Sequence, residues 1–319
     1  MIGVGIIGLG NVFEGPYRTE LAPLVRSGRV RVAAVCDLDP AKQAFAAAEY
    51  GLAGGTADAA DVIVELAAAS PGHLVPAPHV VLSPTFRAIH ADLAAGRIGR
   101  PALARAFYGW SGPDWGRWFY RAGGGALFDL GVYNVVSLCA LLGSARRVSG
   151  MVGTAIPERM AEGGVIPVEA DDNAHVTIDF GGSCFGVVTT GFTIQKYRNA
   201  AIEVYGLEGT LQMLGDDWAP DGYEVWENRT GAWTVHPETN PTWRWTDGLA
   251  HLVEAVETSR EPLIRPEHGR HALEVMLAAQ EAGRTGRAVE IASTFPAVDY
   301  AAWPAAARDR RARHDPGSA

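Results

Sequence analysis

The stretch GGGALFDLGVY, Gly123 to Tyr133, sets a carboxylate and a phenol four residues apart behind three glycines. Glycines allow backbone conformations closed to other residues, and Leu127, Leu130, Val135, Val136 and Leu138 follow at helical spacing. A helix beginning near Ala126 stacks Asp129 and Tyr133 on a single face. A phenol so placed can relay a proton to a carbonyl or alkoxide, and a nearby carboxylate can orient a substrate hydroxyl or tune the phenol. The same residues also fit a plainer arrangement, with Asp129 exposed in a first turn where the helix dipole favours it and Tyr133 half-buried in packing.

A second constellation lies at the N-terminus. Residues 2 to 7 alternate Gly with Val and Ile and meet Gly8-Leu9-Gly10-Asn11, a buried strand entering a tight turn. Val30 to Cys36 is a second buried strand, closed by Asp37. In that context G8-L-G10-N-V-F13 reads as a dinucleotide fingerprint. Gly8 permits the turn, Gly10 lets a pyrophosphate approach the backbone at Asn11 and Val12, and the helix N-terminus holds its charge. Asp37 would accept hydrogen bonds from the adenosine ribose. Leu38 and Asp39 follow with no Arg to meet a 2′-phosphate, so NAD is favoured, with NADP the alternative. Phe13 departs from the pattern at the third glycine position and could crowd helix against sheet. The alternative is a generic βα turn with a surface Asp.

The elements that position these residues can be traced along the chain. A helix carries Leu21, Leu24 and Val25 to the stop at Ser27-Gly28, and an alanine-rich helix runs from Pro40 to Tyr50. The segment from Thr56 to Gly72 is read as a helix, although its DVIVEL core also fits a strand. A strand is expected at Leu74 to Leu82 and a helix from about Thr85 to Ala95. Beyond Pro101 come strands at Leu103–Trp110 and Val148–Ala155, then a hairpin of Ala174–Phe180 and Cys184–Thr190 around Gly181-Gly182-Ser183. Further strands are expected at Ala201–Tyr205, Thr210–Leu214 and Tyr223–Glu227, and helices at Leu249–Glu257 and Arg270–Ala282. Strands in succession imply a mostly antiparallel sheet with one face free for a pocket or a partner.

Composition bounds the function. The 319 residues are 48% hydrophobic, enough for a large core and two domains. A net charge of -9 and a pI near 5.5 argue against nucleic acid as a partner, since counterion release needs clustered Lys and Arg. The one basic cluster, Arg308 to Arg313, reads as a frayed tail. Cys36, Cys139 and Cys184 are far apart among apolar residues, which suggests neither a disulfide framework nor a zinc site. No membrane partner is expected, since no apolar run approaches spanning length, and the expected location is the cytoplasm. Of 27 basic residues only Lys42 and Lys196 are lysines.

The ordered phrases G-x-G, a strand-ending Asp, AAGRIGRP (Ala94–Pro101), GGGALFDLGVY, DDNAHVTIDFGG, YGLEGTLQ (Tyr205–Gln212) and HALEVMLAAQEAGRTGRAVEI together resemble the Gfo/Idh/MocA family. The resemblance implies an α/β Rossmann-like domain over residues 1–100, a C-terminal α+β domain with an open-faced, mostly antiparallel sheet over 101–305, and a flexible tail over 306–319. It implies an NAD(P)-dependent oxidoreductase moving a hydride between nicotinamide and a hydroxyl or ketone of a sugar, sugar derivative or cyclitol. Homo-oligomers through the C-terminal sheet are also implied. In the branch with Tyr at the Tyr133 position, that Tyr handles the proton, and Asp129 matches the acid of the same motif.

Trp115, Arg117, Trp118, Tyr120 and Arg121 precede the motif, and aromatic faces with Arg forks suit a sugar pocket. Interdomain packing is the alternative, the two Trp residues above all. Lys196, Tyr197 and Arg198 follow a strand, and Lys196 and Arg198 are expected to reach the substrate. His79 sits on the expected apolar strand, near where members of the family place substrate-contacting residues, although a lone His there is more often a packing residue. His268 and His271 with Glu267 and Glu274 have ligand-like helical spacing, but no further cluster converges on them and no metal is expected. Asp171 and Asp172 are expected to cap or turn the hairpin.

The family's Glu-Lys-Pro motif is absent, and neither Lys42 nor Lys196 can be assigned to it. Judged against a complete doubly wound domain, about thirty to fifty residues are lacking between Gly51 and Leu74. Removing central strands leaves an open edge on the first. The expectation is either a shortened domain repacked, against another subunit for example, or a sequence that omits a segment, with Gly55–Thr56 the best junction. The competing function is a catalytically impaired relative that binds a sugar or sugar nucleotide, or serves in assembly.

Overall fold

β-Branched residues dominate the first two apolar runs, and both are strands. In the computed structural model, which describes residues 1–58, 73–237 and 243–303, β1 (Ile2–Ile7) and β2 (Val30–Cys36) pair in parallel, Ile2 opposite Val30 and Ile7 opposite Cys36. Between them the chain turns at Gly8, widens into a π-turn over Phe13–Tyr17 and continues as α1 (Arg18–Arg26). α2 (Pro40–Tyr50) starts where the Asp39 carboxylate accepts from the Ala41 N–H, has Pro40 in its first turn, and ends at Gly51 with φ +69°.

Thr56, the first residue of the expected third helix, instead forms a parallel bridge with Cys36. The helix-or-strand question beyond it falls on residues 59–72, outside the described residues, as does Ser70-Pro71-Gly72. The strand expected at Leu74–Leu82 is not one. The segment is irregular up to a single 3₁₀ turn at Val80–Leu82. Pro76 and Pro78 each lack a ladder donor, and the apolar residues that suggested a strand, Val80 and Val81, are buried in the core.

From Ser83, whose hydroxyl accepts from the Phe86 N–H at 3.0 Å, α3 (Pro84–Ala94) drives Phe86 and Ile89 into the main core. It lies over one face of a nine-stranded sheet. Eight of its strands are β3 (Pro101–Gly109), β4 (Arg147–Gly153), β7 (Asn173–Gly181), β8 (Cys184–Gly191), β9 (Ile202–Gly206), β10 (Gly209–Asp216), β11 (Ala219–Glu227) and β12 (Ala232–Pro237). With the short β13 (Val289–Glu290) they run in the order β12-β11-β10-β9-β3-β8-β7-β4-β13, antiparallel except for the pair β3-β8. A separate hairpin, β5 (Glu158–Ala161) with β6 (Gly164–Pro167), and the edge strands β12 and β13 had no counterpart in the sequence reading.

Alternation sorts the sheet faces. Ala104, Ala106, Val176, Ile178 and Val188 point to the core beneath α4 (Val132–Leu142) and α6 (Pro266–Thr285). The other face carries a row of Trp233, Trp226, Thr210, Tyr205, Leu103 and Phe185, joined residue to residue by the strand register. Leu103, Phe185 and Trp233 on that face are exposed. α5 (Gly248–Thr258) returns to the N-terminal unit and sets Val253 into its core beside Leu9, Phe13, Leu21 and Val30.

Asp171 does not serve the hairpin it precedes. Its carboxylate accepts from the Leu127 N–H at 2.9 Å and from Gln280 Nε2 at 3.1 Å, and its carbonyl accepts from the Ala126 N–H. It therefore holds the start of the helix that carries Asp129 and Tyr133. Replacement by Ala strands buried N–H groups, and Asp171→Ala is expected to lower unfolding free energy by about 1–3 kcal/mol in denaturant titrations. A change below about 0.5 kcal/mol would remove this clamp from the account.

Candidate active site

Three glycines open the helix because two have no room for a side chain. A Cβ on Gly124 would lie 2.4 Å from the Trp118 carbonyl oxygen, and one on Gly125 would lie 2.5 Å from Asp171 Oδ1, at φ +105°. The chain then enters a π-turn, Leu127–Gly131, that continues into α4. Leu127 is buried on the inner side, while Asp129, Leu130 and Tyr133 line a cavity of about 870 Å³.

That cavity lies between the N-terminal unit and the large sheet. One wall is β1, from Val4 to Ile7, with Gly8, Gly10, Asn11, Val12, Phe13 and Tyr17 after it. Among the described residues β1 pairs on one edge only, with β2. The facing wall brings Asp129 and Tyr133 together with Tyr108, Trp110, Trp115 and Trp118. Trp110 stacks on Trp115 at 5.3 Å between centroids, and Tyr108 meets Tyr133 edge to face at 5.8 Å. His79 and Trp245 close the cavity, with the Tyr17 hydroxyl 3.0 Å from His79 Nδ1. Gly248 makes the seat for His79, since a Cβ there would overlap the imidazole at 2.1 Å.

The glycine turn is tied to Asp37. The Leu9 N–H donates to Asp37 Oδ2 at 2.7 Å, the Asp39 N–H to Oδ1 at 2.8 Å, and the Gly8 N–H to the Cys36 carbonyl. Gly8 sits at φ +88°, and neither Gly8 nor Gly10 has a heavy atom within 4 Å of a built Cβ. The loop is therefore open on the side a phosphate would approach, and the carboxylate keeps lone pairs for hydroxyl donors. Phe13 is buried in the core beneath the turn, and the π-turn begins there. Lys42 reaches the back of this loop, its Nζ 3.3 Å from the Leu9 carbonyl oxygen.

Burial dominates the electrostatics. It raises the Asp129 carboxyl to about 6. Burial, then Asp129 and Asp217, push the Tyr133 phenol up to about 12, and burial raises Tyr17 and Tyr108 as well. His79 is lowered to about 4 by burial, only partly offset by hydrogen bonds to the Trp245 and Val75 backbone. Near neutrality the cavity thus holds an ionised Asp129, phenols and a neutral imidazole. No Lys or Arg is among its lining residues.

The remaining sequence candidates lie elsewhere. Tyr120 is buried, and its hydroxyl donates to the Pro113 carbonyl. Arg117 pairs with Glu162, and Arg121, Lys196 and Arg198 are not among the lining residues. His271 Nε2 accepts from the Ala145 N–H, and among the described residues no metal-binding cluster forms. No described helix is long and apolar enough to cross a membrane. Tyr17, Tyr108, Trp110 and Trp245 belong to the cavity without having been singled out. Their only signal was aromatic density around the strand at Leu103–Trp110 and in the phrase TWRWTDG.

Residues 86–212 match the family model described as the GFO/IDH/MocA C-terminal domain. A 1,5-anhydro-D-fructose reductase of Ensifer adhaerens is 28% identical over 224 residues, 67% of this chain and 62% of that protein. A trans-1,2-dihydrobenzene-1,2-diol dehydrogenase of Macaca fuscata fuscata is 30% identical over 145 residues, 43% of this chain and 38% of that protein. The matches thus span less than two thirds of these curated relatives. Among solved structures, levoglucosan dehydrogenase in complex with NADH superposes with a TM-score of 0.73 at 18% identity, over 92% of this chain and 99% of that one. At that identity the likeness bears on the fold. It agrees with the expected architecture of a Rossmann-type unit joined to a largely antiparallel sheet.

The raised Asp129 carboxyl makes stability depend on pH. Between its ordinary value near 3.8 and about 6, the folded state holds this proton more tightly than the unfolded chain. Unfolding free energy contributed by this group therefore falls as pH rises through that window, by about 2–3 kcal/mol in all. Asp129→Asn should flatten this slope in thermal melts taken across about pH 4 to 7. Superimposable pH dependences for variant and wild type would show that Asp129 titrates normally.

Proposed function

We propose that this chain is a nicotinamide-dependent oxidoreductase that interconverts a hydroxyl and a ketone on a neutral, polyhydroxylated, sugar-like substrate. The observation that carries the reading is one cavity bounded on one side by the glycine turn at Gly8 and Gly10, which Asp37 anchors through the Leu9 N–H, and on the other by Asp129 and Tyr133. The open turn fits a pyrophosphate at Asn11 and Val12, and the Asp37 carboxylate fits the hydroxyls of an adenosine ribose. Leu38 is exposed beside Asp37 and no Arg follows, which favours NAD over NADP. Relatives in structure include a levoglucosan dehydrogenase in complex with NADH, and relatives in sequence include a reductase of 1,5-anhydro-D-fructose.

Nicotinamide would supply the hydride donor or acceptor at the carbon centre. Tyr133, protonated near neutrality, would donate to the forming alkoxide in the reductive direction and take the proton back in the other. Ionised Asp129, near Tyr133, would accept from a neighbouring substrate hydroxyl and orient it. Trp110, Trp115 and Trp118 offer ring faces for the C–H side of a sugar, and they exclude water. A wall without Lys or Arg disfavours sugar acids, sugar phosphates and sugar nucleotides, whose charge would be buried unpaired. The exposed aromatic row on the open sheet face supports the expected homo-oligomer.

Saturable quenching or enhancement of NADH fluorescence, with turnover on a panel of neutral sugars and anhydrosugars, is the expected result. Asp37→Ala should weaken NADH binding by about 10-fold or more. Tyr133→Phe should lower kcat by roughly 10²–10⁴-fold with little change in NADH affinity. Sugar binding without any nicotinamide binding would instead assign the chain to the competing role of a catalytically impaired binding protein. Undiminished turnover in Tyr133→Phe would remove the phenol from proton transfer.

A further inference from the structure

Behind Tyr133 lies a second carboxyl group that the proposed chemistry does not use. Asp217, in the turn between β10 and β11, is 1% exposed. Among the described residues no Lys, Arg or His forms an ion pair with it. Its one side-chain partner is Asn134, the residue after Tyr133 on α4 and itself fully buried, whose Nδ2 donates to Asp217 Oδ2 at 2.6 Å. The other two oxygens of the pair, Asp217 Oδ1 and Asn134 Oδ1, are buried and have no hydrogen-bond partner.

An ionised Asp217 would leave both oxygens as unsatisfied acceptors in a dry site, an arrangement that folded proteins avoid. A neutral Asp217 resolves both at once. Its Oδ1–H can donate to Asn134 Oδ1 while Asn134 Nδ2 donates to Asp217 Oδ2, the two-point pairing of a carboxylic acid with a primary amide.

The surroundings favour that state. Asp216 precedes it and takes a 3.4 Å hydrogen bond from the Tyr197 hydroxyl. Tyr108 on β3 and Tyr133 on α4 both lie within electrostatic reach of Asp217, and Asp129 within reach of both phenols. These neighbours are acidic or neutral. Thr190, level with Tyr108 in the strand register, and Ser137, one turn along α4 from Asn134, add buried hydroxyls and no charge.

We propose that Asp217 is a positioning residue for Tyr133: as a neutral acid clamped to Asn134 it fixes the first turn of α4, and its deprotonation breaks the clamp and suppresses proton transfer at Tyr133. The proposal rests on the reading of Tyr133 as the proton-handling group. Burial holds the Asp217 carboxyl up at about 8, with the Asn134 amide and, more weakly, the Trp218 and Asp217 backbone N–H groups pulling it back and Asp216 pushing it further. The proton is therefore lost on the alkaline side of neutrality. The new charge then raises the Tyr133 phenol, making it a weaker acid for reduction and a harder phenolate to form for oxidation.

Asp217→Asn tests this, because an amide keeps the two-point pairing with Asn134 and cannot titrate. From about pH 4 to about pH 8 the wild type should lose stability as pH rises, since its folded state holds this proton more tightly than the unfolded chain. The melting temperature of Asp217→Asn should therefore gain on that of the wild type between pH 5 and about pH 8 and hold its lead above. Carboxyl ¹³C spectra of aspartate-labelled wild type, which need no variant to fold, should show a signal with its midpoint near 8.

In the reduction of 1,5-anhydro-D-fructose by NADH, wild-type kcat should fall about 10-fold per pH unit above the Asp217 midpoint. In Asp217→Asn kcat should stay level, with KM little changed. Parallel stability curves, or no such carboxyl signal, would overturn the neutral pair. A widening stability gap with an unaltered pH–rate profile would overturn the link to Tyr133. Absence of turnover in the wild type would remove the Tyr133 reading and the positioning role with it, and the stability curves and spectra would still decide the pair.

Discussion

The site hangs on one junction, where the Asp171 carboxylate meets the start of the helix that carries Asp129 and Tyr133. Gly125 can lie against that carboxylate only because it has no side chain, and at φ +105° any L-residue would be strained. The carboxylate then satisfies the Leu127 N–H, one of the donors a helix start leaves free, and Gln280 of α6 secures it from the other side. Three parts of the chain distant in sequence, the glycine run, the segment before β7 and α6, therefore converge to set the origin of α4. From that origin Asp129 and Tyr133 face the cavity, and Asn134 faces Asp217.

The titratable groups of a site assembled this way are buried, and burial explains its electrostatics better than any single ion pair does. The acids and phenols in and behind the cavity move toward their protonated forms and His79 toward its neutral one, burial being the first cause in every case. Among the described residues that line the cavity, no Lys or Arg opposes the trend. Of the two groups on this helix start, Asp129 is raised to about 6 and Tyr133 to about 12. Near neutrality that separation leaves one an acceptor and the other a donor, the division of labour that acid-base chemistry on a carbinol requires.

Much of this was legible in the residues, and the failures have physical causes. The turn at Gly8, the acid closing β2 and the placement of Asp129 and Tyr133 together follow from local rules of glycine conformation and helical period. Those rules depend on neighbours a few residues away. The strand reading of Leu74–Leu82 failed because burial of Val80 and Val81 was taken for pairing, while Pro76 and Pro78 had already removed ladder donors. Asp171 was assigned to the hairpin beside it in sequence, but its partners, Leu127 and Gln280, are 44 and 109 residues away. Arg117 suited a sugar in type and lay near the motif, yet it pairs with Glu162 outside the cavity. Tyr17, His79 and Trp245 come to the cavity from elements that only tertiary folding brings together.

Two of the helices that face the cavity begin with a π-turn, Phe13–Tyr17 on one wall and Leu127–Gly131 on the other. A π-turn replaces i→i+4 bonding with i→i+5, costs bonding geometry and is rare outside functional sites. In each case it coincides with a bulky buried residue, Phe13 in the first and Leu127 in the second. The widened turn lets that residue sink into packing while residues one turn on, Tyr17 and Tyr133, face the cavity with their hydroxyls. The anomaly at Phe13, where the dinucleotide pattern has glycine, is thus met by a change in helix geometry rather than by loss of the turn. Two phenols on opposite walls, each carried by a widened helix start and each raised by burial, are the consequence of fitting large side chains beneath a site that must stay dry.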